Sequence, residues 1–549
     1  YRPAALPENL RENAGGDGSV GISTSINVLN ENTVTYSANF GDHNLNLLGG
    51  FTWQTFRSEG NYAGGFGFPN DALLYYNLGN GSDPTRNIIG TSWNSYQLVS
   101  WLARAHYEYK GKYLLTLVGR VDGSSRFATS NNAYGFFPSA AVAWRLDQES
   151  FIRDLNFFSD LKLRASFGYS GSQAIESFRS LPLLRGETAY FNNEPQYAVQ
   201  NGRPANNNLK WETTKQLDIG LETSFFDKRL SIEIDYYKKT TKDLLLEVQI
   251  PRQTGFESKL QNLGSLENKG LELSISTLNV SNENFEWSTN LTLSSNRSKV
   301  LDLAGSDFID IASPTSGGPA ARLIVGETVP VFVGVEYLGT WKTQEEIDAS
   351  GQVGQTVGGP RYRDTNEDGT ISDADFGVLG SPQPDLIGGF QNSIRWKNLT
   401  LDVYFQGTYG NEVFNILTQS AFFGRPEANK YLETLDRWTP DNPTSNIPRA
   451  GAVATLADVK NNSQMVEDGS HLRLKNVRLG YNLPLKKMGI GNIKNMNIYV
   501  SGTNLLLFSE FRLFDPETSN YGNDNLAAGF SSGEYPYGRT ITIGLNVTF

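Results

Sequence analysis

The sequence of 549 residues contains no cysteine, so neither a disulfide framework nor a thiolate-bound metal is open to it. It also lacks any run of about 18 apolar residues, which excludes a bundle of membrane-spanning helices. No nucleophile elbow, zinc-ligand spacing or phosphate loop occurs, and Gly64-Gly65-Phe66-Gly67 has no strand-to-helix setting for a dinucleotide. Histidine is scarce at 3, and His43, His106 and His471 lie far apart, so a catalytic dyad has little to draw on. Positive charge is in deficit. A net charge of −11 argues against nucleic acid as a partner, because phosphate recognition needs a basic face. No charged and then apolar leader precedes the body; the chain opens on Tyr1-Arg2-Pro3, so a leader has been removed or the chain begins within a larger protein.

What the sequence has is aromatic and glycine content: 25 Tyr, 31 Phe and 55 Gly, at a mean hydropathy of −0.39. Two all-β readings use such a supply, a soluble sandwich and a membrane barrel whose lipid-facing residues are diluted by a polar lumen and long loops. Period-two alternation is strict. From Leu209, one face carries Leu209, Trp211, Leu217, Ile219, Leu221 and Phe225, and the other Lys210, Glu212, Gln216, Asp218, Glu222 and Ser224. The pattern returns at Leu230 to Tyr236, Phe285 to Leu293 and Leu399 to Gln406. Near Lys475-Asn476 it slips by one residue, which predicts a β-bulge.

Two features favour the membrane. Short turns at Gly41-Asp42, Lys110-Gly111, Asp227-Lys228 and Lys397-Asn398 interleave with long excursions at 59–94, 171–208, 411–469 and 509–538. Outer-membrane barrels have this asymmetry, with the short turns periplasmic. The chain also ends inside a strand, Ile541, Ile543, Leu545, Val547 and Phe549 alternating with polar residues. Counting back from Phe549 gives about sixteen up-down strands. The parity requires Val331 to Trp341 to lie outside the barrel, within one large external region over 299–385.

Several segments, in order along nearly the whole chain, then fit a known family. They are Lys112 to Phe127, Phe137 to Trp144, Asn208-Leu-Lys-Trp-Glu212, Gly359 to Gly369, His471 to Tyr481, Asn504-Leu-Leu, Asp515-Pro-Glu517 and Tyr535 to Thr540. Together they resemble the barrel of SusC/RagA-like TonB-dependent transporters of the bacterial outer membrane. The resemblance implies a transmembrane antiparallel β-barrel of about twenty-two strands with a plugged lumen. Residues 1–549 would then be its C-terminal portion, lacking the plug, the TonB-engaging segment and roughly six strands. It further implies a SusD-like surface lipoprotein as lid, TonB as the energy-transmitting partner, the lipid bilayer as surroundings, and a glycan or peptide as cargo. A passive porin-like channel and a surface display or adhesion barrel are the competing readings.

One local motif points to a cation. Asp364, Asn366, Asp368, Thr370 through its carbonyl, and Asp375 follow the alternate-oxygen spacing of a Ca²⁺ loop, with Gly369 at the tight turn. Asp375 stands where a longer Glu is usual. The bland alternative is an Asp/Asn/Gly turn without an ion. Among other polar groups, Arg120, Asp122, Arg126, Arg473 and Lys475 read first as solvated lumen charge and second as substrate or plug contacts, and each histidine as a lumen-facing polar residue. The loop aromatics Tyr190, Phe191 and Tyr197 could stack on sugars or touch a lid protein.

Overall fold

In the computed structural model the described residues are 16–72, 74–127, 131–315, 317–423, 429–453, 459–485, 488–489, 493–522 and 524–549. The opening Tyr1-Arg2-Pro3 lies outside them. Fifteen strands form one antiparallel sheet in which every neighbour in sequence is a neighbour in space. We number them β1 Gly16–Phe40, β2 His43–Phe68, β3 Ile88–Tyr109, β4 Tyr113–Ser124, β5 Tyr134–Arg145, β6 Phe158–Ser172, β7 Glu212–Phe225 and β8 Leu230–Lys242. They continue as β9 Ser265–Ser281, β10 Phe285–Asp302, β11 Leu386–Trp396, β12 Leu399–Tyr409, β13 His471–Asn482, β14 Asn495–Ser509 and β15 Thr540–Thr548. No helix among the described residues is long and apolar enough to cross a membrane, so any crossing falls to strands.

Alternation decides the two faces. Outward stand Leu217, Ile219, Tyr236, Leu271, Trp101, Leu479 and Ile543, all exposed large apolar side chains. That is a poor surface for water and a good one for lipid. At the short-turn end the outward face closes in a belt of rings: Tyr109 stacks on Tyr113 at 6.4 Å, and Tyr113 on Trp144 at 6.1 Å. Glu149, in the turn below, accepts from the Tyr113 hydroxyl and the Trp144 Nε1–H. His43 joins this belt, its ring 4.9 Å from that of Tyr109. The lumen-facing placement expected for His43 is therefore corrected, because its register with Tyr109 puts it on the lipid side. His106 does face inward, hydrogen-bonded to Thr116.

The alternation with period two was readable only where side chains are large. Fifteen strands lie among the described residues where about sixteen were expected, and β2 and β3 run through much of the 59–94 span expected as loop. Glycines at 60, 64, 65, 67 and 90 blank out the pattern there, yet Ser58 to Gly64 stay paired with Asn94 to Ile88. At 25 and 26 residues, β1 and β2 exceed the roughly 9–11 residues a tilted strand needs to cross, so their glycine-rich ends project beyond the bilayer. The predicted bulge is present: Tyr404 pairs with Asn476 and Phe405 with Leu474, leaving Lys475 as the extra residue.

The long connections 303–385, 410–470 and 510–539 fold on one another. Val331–Gly334 and Tyr337–Thr340 pair within small sheets of their own, away from the large one. Glu412–Asn415 pairs antiparallel with Val466–Asp468 and parallel with Phe530–Ser531, stitching two connections into a three-stranded sheet. Phe332, Phe414 and Phe530, one from each connection and each fully buried, meet at ring distances of 5.3–5.6 Å. Gly529, at φ +77, lies where a Cβ would fall 2.9 Å from the Phe332 ring, so only glycine admits this approach.

Candidate transport face and its roof

The inner face of β6, β7 and β8 carries a charge network. Arg164 reaches Asp218 at 3.4 Å, Glu222 at 3.0 Å, Glu233 at 2.5 Å and Asp235 at 2.8 Å. Lys162 adds a second contact to Glu222 at 3.1 Å. With Asp160 and Glu272 on the same face, carboxylates outnumber the cations that answer them. A single guanidinium shared among several carboxylates leaves acceptor capacity open toward the lumen.

Two groups of the singled-out segments converge in space. Leu209 and Trp211, expected on the apolar face of a strand with Leu217 and Ile219, instead precede β7 and are buried with Phe127, Phe137, Ile175 and Leu260. Trp211 donates its indole N–H to the Ala133 carbonyl at 3.0 Å. Alternation could not show this, since an inward hydrophobic cluster at the loop end keeps the same parity as a lipid-facing row. Beside it, Arg126 stacks on the Tyr96 ring at 4.0 Å and donates to the Gln173 carbonyl. Arg120 pairs with Asp122 at 2.7 Å and donates to Ser100.

The second group joins β13 to the 510–539 connection. Arg473, with a side chain 4% exposed, holds Asp515 at 2.7 Å and Glu517 at 2.7 Å. His471, also buried, stands 3.5 Å from Glu517, and the Arg473 guanidinium and Lys475 ammonium lie 5.6 and 5.4 Å from the Tyr537 ring. Arg473 is thus a buried latch, not the solvated lumen charge that the sequence favoured. The His471 imidazole 3.5 Å away, with the charges of Arg473 and Lys475, holds the Glu517 carboxyl down at about 2, against burial that would raise it. A carboxyl depressed on folding stabilises above its unfolded value of about 4.3, and that contribution is lost as pH falls toward about 2. We therefore expect the hydrogen-exchange protection of 515–517 to exceed that of Glu517→Gln by a constant amount above about pH 5, the difference vanishing toward about pH 2.

The predicted cation loop lies in the 303–385 connection. Asp364 accepts the Gly369 N–H through Oδ2, while its Oδ1 is buried without a hydrogen-bond partner. Asp375 is spent on the backbone: Oδ1 accepts from Thr365 and Asn366, and Oδ2 from Ser372. Asp368 accepts the Thr370 N–H, and Asn366 the Asp368 N–H. Burial would raise the Asp375 carboxyl, but the Ser372, Thr365 and Asn366 amides win and hold it below its ordinary value. Among the described residues, no three His, Asp or Glu side chains are gathered as a metal-holding group. The loop aromatics Tyr190, Phe191 and Tyr197 sit exposed on a hairpin of Leu183–Phe191 with Glu194–Arg203. Sequence reasoning missed a stacked pair at the base of this hairpin, Trp93 on Phe178 at 5.2 Å, where the Phe178 carbonyl accepts from Arg203.

An antiparallel meander with a lipid-facing belt, a charged inner wall and one folded roof defines an outer-membrane β-barrel protein of the receptor type. Residues 7–406 match the family model described as TonB dependent receptor-like, beta-barrel, and the chain belongs to the TonB-dependent receptor family. It is 52% identical to TonB-dependent receptor P26 of Formosa agariphila, over 100% of this chain and 56% of that protein. It is 28% identical to TonB-dependent receptor SusC of Bacteroides thetaiotaomicron, over 82% of this chain and 44% of that one. Among solved structures it matches the RagAB peptide transporter at a TM-score of 0.80 and 25% identity, covering 97% of this chain and 56% of that chain. The SusC/RagA-like resemblance read from the sequence is thereby shown. The chain spans about half the length of the curated relatives it matches.

Proposed function

We propose that this chain is the C-terminal wall and roof of a plugged importer, which takes an oligosaccharide or peptide across the outer membrane with energy transmitted by TonB. The observation that carries the reading is the pairing of an acidic inner wall around Arg164 with a roof folded from three long connections. A passive channel needs an open mouth, whereas a folded roof suits a gated one. A barrel of about twenty-two strands would need about seven more beside the fifteen here, and the acidic wall is where a plug would dock. A SusD-like lipoprotein would sit on the roof. Uptake of radiolabelled oligosaccharide and peptide pools by cells carrying the full-length gene product tests this. Uptake abolished by a proton uncoupler and by loss of TonB is expected; uptake indifferent to both would leave a passive pore.

We propose too that the 364–375 loop takes Ca²⁺, anchored by the unpartnered Asp364 Oδ1, with Asn366, Asp368 and the Thr370 carbonyl as further oxygens and Asp375 shaping the backbone. Saturating Ca²⁺ at about 100 times its Kd would raise the stability of the roof by about 2.7 kcal/mol. Asp364→Asn should abolish that rise in a calorimetric titration, and an identical titration of the variant would remove the site.

A further inference from the structure

The outward face, apolar over most of its height, carries a block of cations at one level. By register, Leu217 on β7 stands opposite Lys238 on β8, Lys238 opposite Lys269 on β9, and Lys269 opposite Arg297 on β10. The next row toward the long connections is Lys215, Thr240, Glu267 and Lys299. The row on the other side is Ile219, Tyr236, Leu271 and Ser295, mostly apolar and exposed. Five cations thus cluster on four strands of a chain whose net charge is −11. Among the described residues, two contacts answer them with carboxylates: Lys238 with Glu267 at 3.0 Å, and Arg297 with Asp385. No ion pair among the described residues involves Lys269 or Lys299.

Like charges directly opposite one another on adjacent strands repel, so this arrangement is unfavourable unless an anion lies over it. Its level identifies the anion. Lys238 is the ninth residue of β8, counted from the short turn at Leu230, which places it about where a strand of 9–11 residues leaves the hydrocarbon. It lies on the side of the long connections, hence at the outer leaflet. Below it, the same face of β10 descends from Arg297 to Leu293 and Leu291. These wall a mostly apolar cavity of about 940 Å³ over Gly388 and Gly407, which pair across β11 and β12 and leave the outward row without side chains, while Asp468, His471 and Glu510 line its other end. Phe390 and Leu472 close its flanks. Cations at headgroup height above an apolar recess match an amphiphile with an anionic head and acyl chains.

We propose that Lys238, Lys269 and Arg297 bind the phosphate of a phosphorylated outer-leaflet lipid, with an acyl chain lying toward the Gly388–Gly407 recess. The proposal rests on the membrane seat of the barrel but not on its cargo or its energy source. Full-length protein purified from outer membranes in mild detergent would be titrated with bis-phosphorylated lipid A, and with the same lipid after phosphatase treatment, and bound lipid counted by native mass spectrometry. Binding of the phosphorylated lipid is expected to exceed that of the other at least tenfold. Lys238→Gln/Lys269→Gln/Arg297→Gln should erase the difference, Lys238→Arg/Lys269→Arg should keep it, and Arg153→Gln at the far end should leave it unchanged. A heat-modifiable gel shift reports folding, and Lys269→Gln alone serves if the triple variant does not fold. Equal binding by wild type and triple variant overturns the proposal, as does displacement of the lipid by millimolar inorganic phosphate, which would mark a site for free anions. Failure to recover the wild-type protein in outer membranes would instead overturn the barrel reading itself.

Discussion

Replacing Arg473 by Gln is expected to free the 510–539 connection from the inner wall, at a local cost of about 3–5 kcal/mol. The guanidinium lies between Asp515 and Glu517, and both Arg473 and Asp515 are almost wholly buried. Removing the cation strands two carboxylates in a place chosen for an ion pair, and the loss comes mainly from that stranded charge. The measurement is hydrogen exchange across 510–539 in the membrane-inserted protein. Because each 1.4 kcal/mol is a factor of ten, exchange there should accelerate a hundredfold or more, while β7 to β10 hold their protection. Arg473→Gln/Asp515→Asn/Glu517→Gln should recover much of the loss, since neutral amides of similar shape leave no unpaired charge. Unchanged exchange in Arg473→Gln would mean that the connection is held by its hydrophobic contacts alone.

The latch shows what a sequence can and cannot disclose. His471 to Tyr481, Asp515 to Glu517 and Tyr535 to Thr540 were each legible as family segments, yet nothing in their spacing says that they touch. The same holds for Phe127, Phe137 and Trp211, which meet in one buried cluster. The strands themselves were legible where large apolar and charged side chains alternate, as from Leu217 to Phe225, and even the one-residue slip at Lys475 was readable. They were illegible at the glycine-rich ends of β2 and β3, where the backbone continues in register with few side chains to mark it. Leu209 and Trp211 misled for the opposite reason: their parity fits the apolar face of a strand with Leu217 and Ile219, but they precede β7 and are buried. The outward cation block needed the register of four strands, because Lys215, Lys238, Lys269 and Arg297 are remote in sequence and adjacent only across the ladder.

Phe332→Ala should loosen the whole roof without unseating the barrel. The ring is fully buried and meets Phe414 at 5.6 Å and Phe530 at 5.3 Å, each from a different long connection. Truncating a buried phenylalanine removes its transfer energy and leaves a cavity, at a cost of about 3–5 kcal/mol. Here little can move in to fill it. Gly529 already presses on the ring, and the Glu412–Asn415 pairing with Phe530–Ser531 fixes the backbones on either side. The expected result is a shared loss of exchange protection at 331–335, 412–415 and 530–531, with the lipid-facing strands and the amount of protein in the outer membrane unchanged. The shared loss is the informative part. If only 331–335 exchanges faster, the three connections are separate loops that happen to touch. If all three respond together, they form one cooperative lid, whose opening must move residues 303–385, 410–470 and 510–539 as a unit. In that case the long connections act as a single gate over the inner wall, and its energetics are set by the buried rings rather than by any one loop tip.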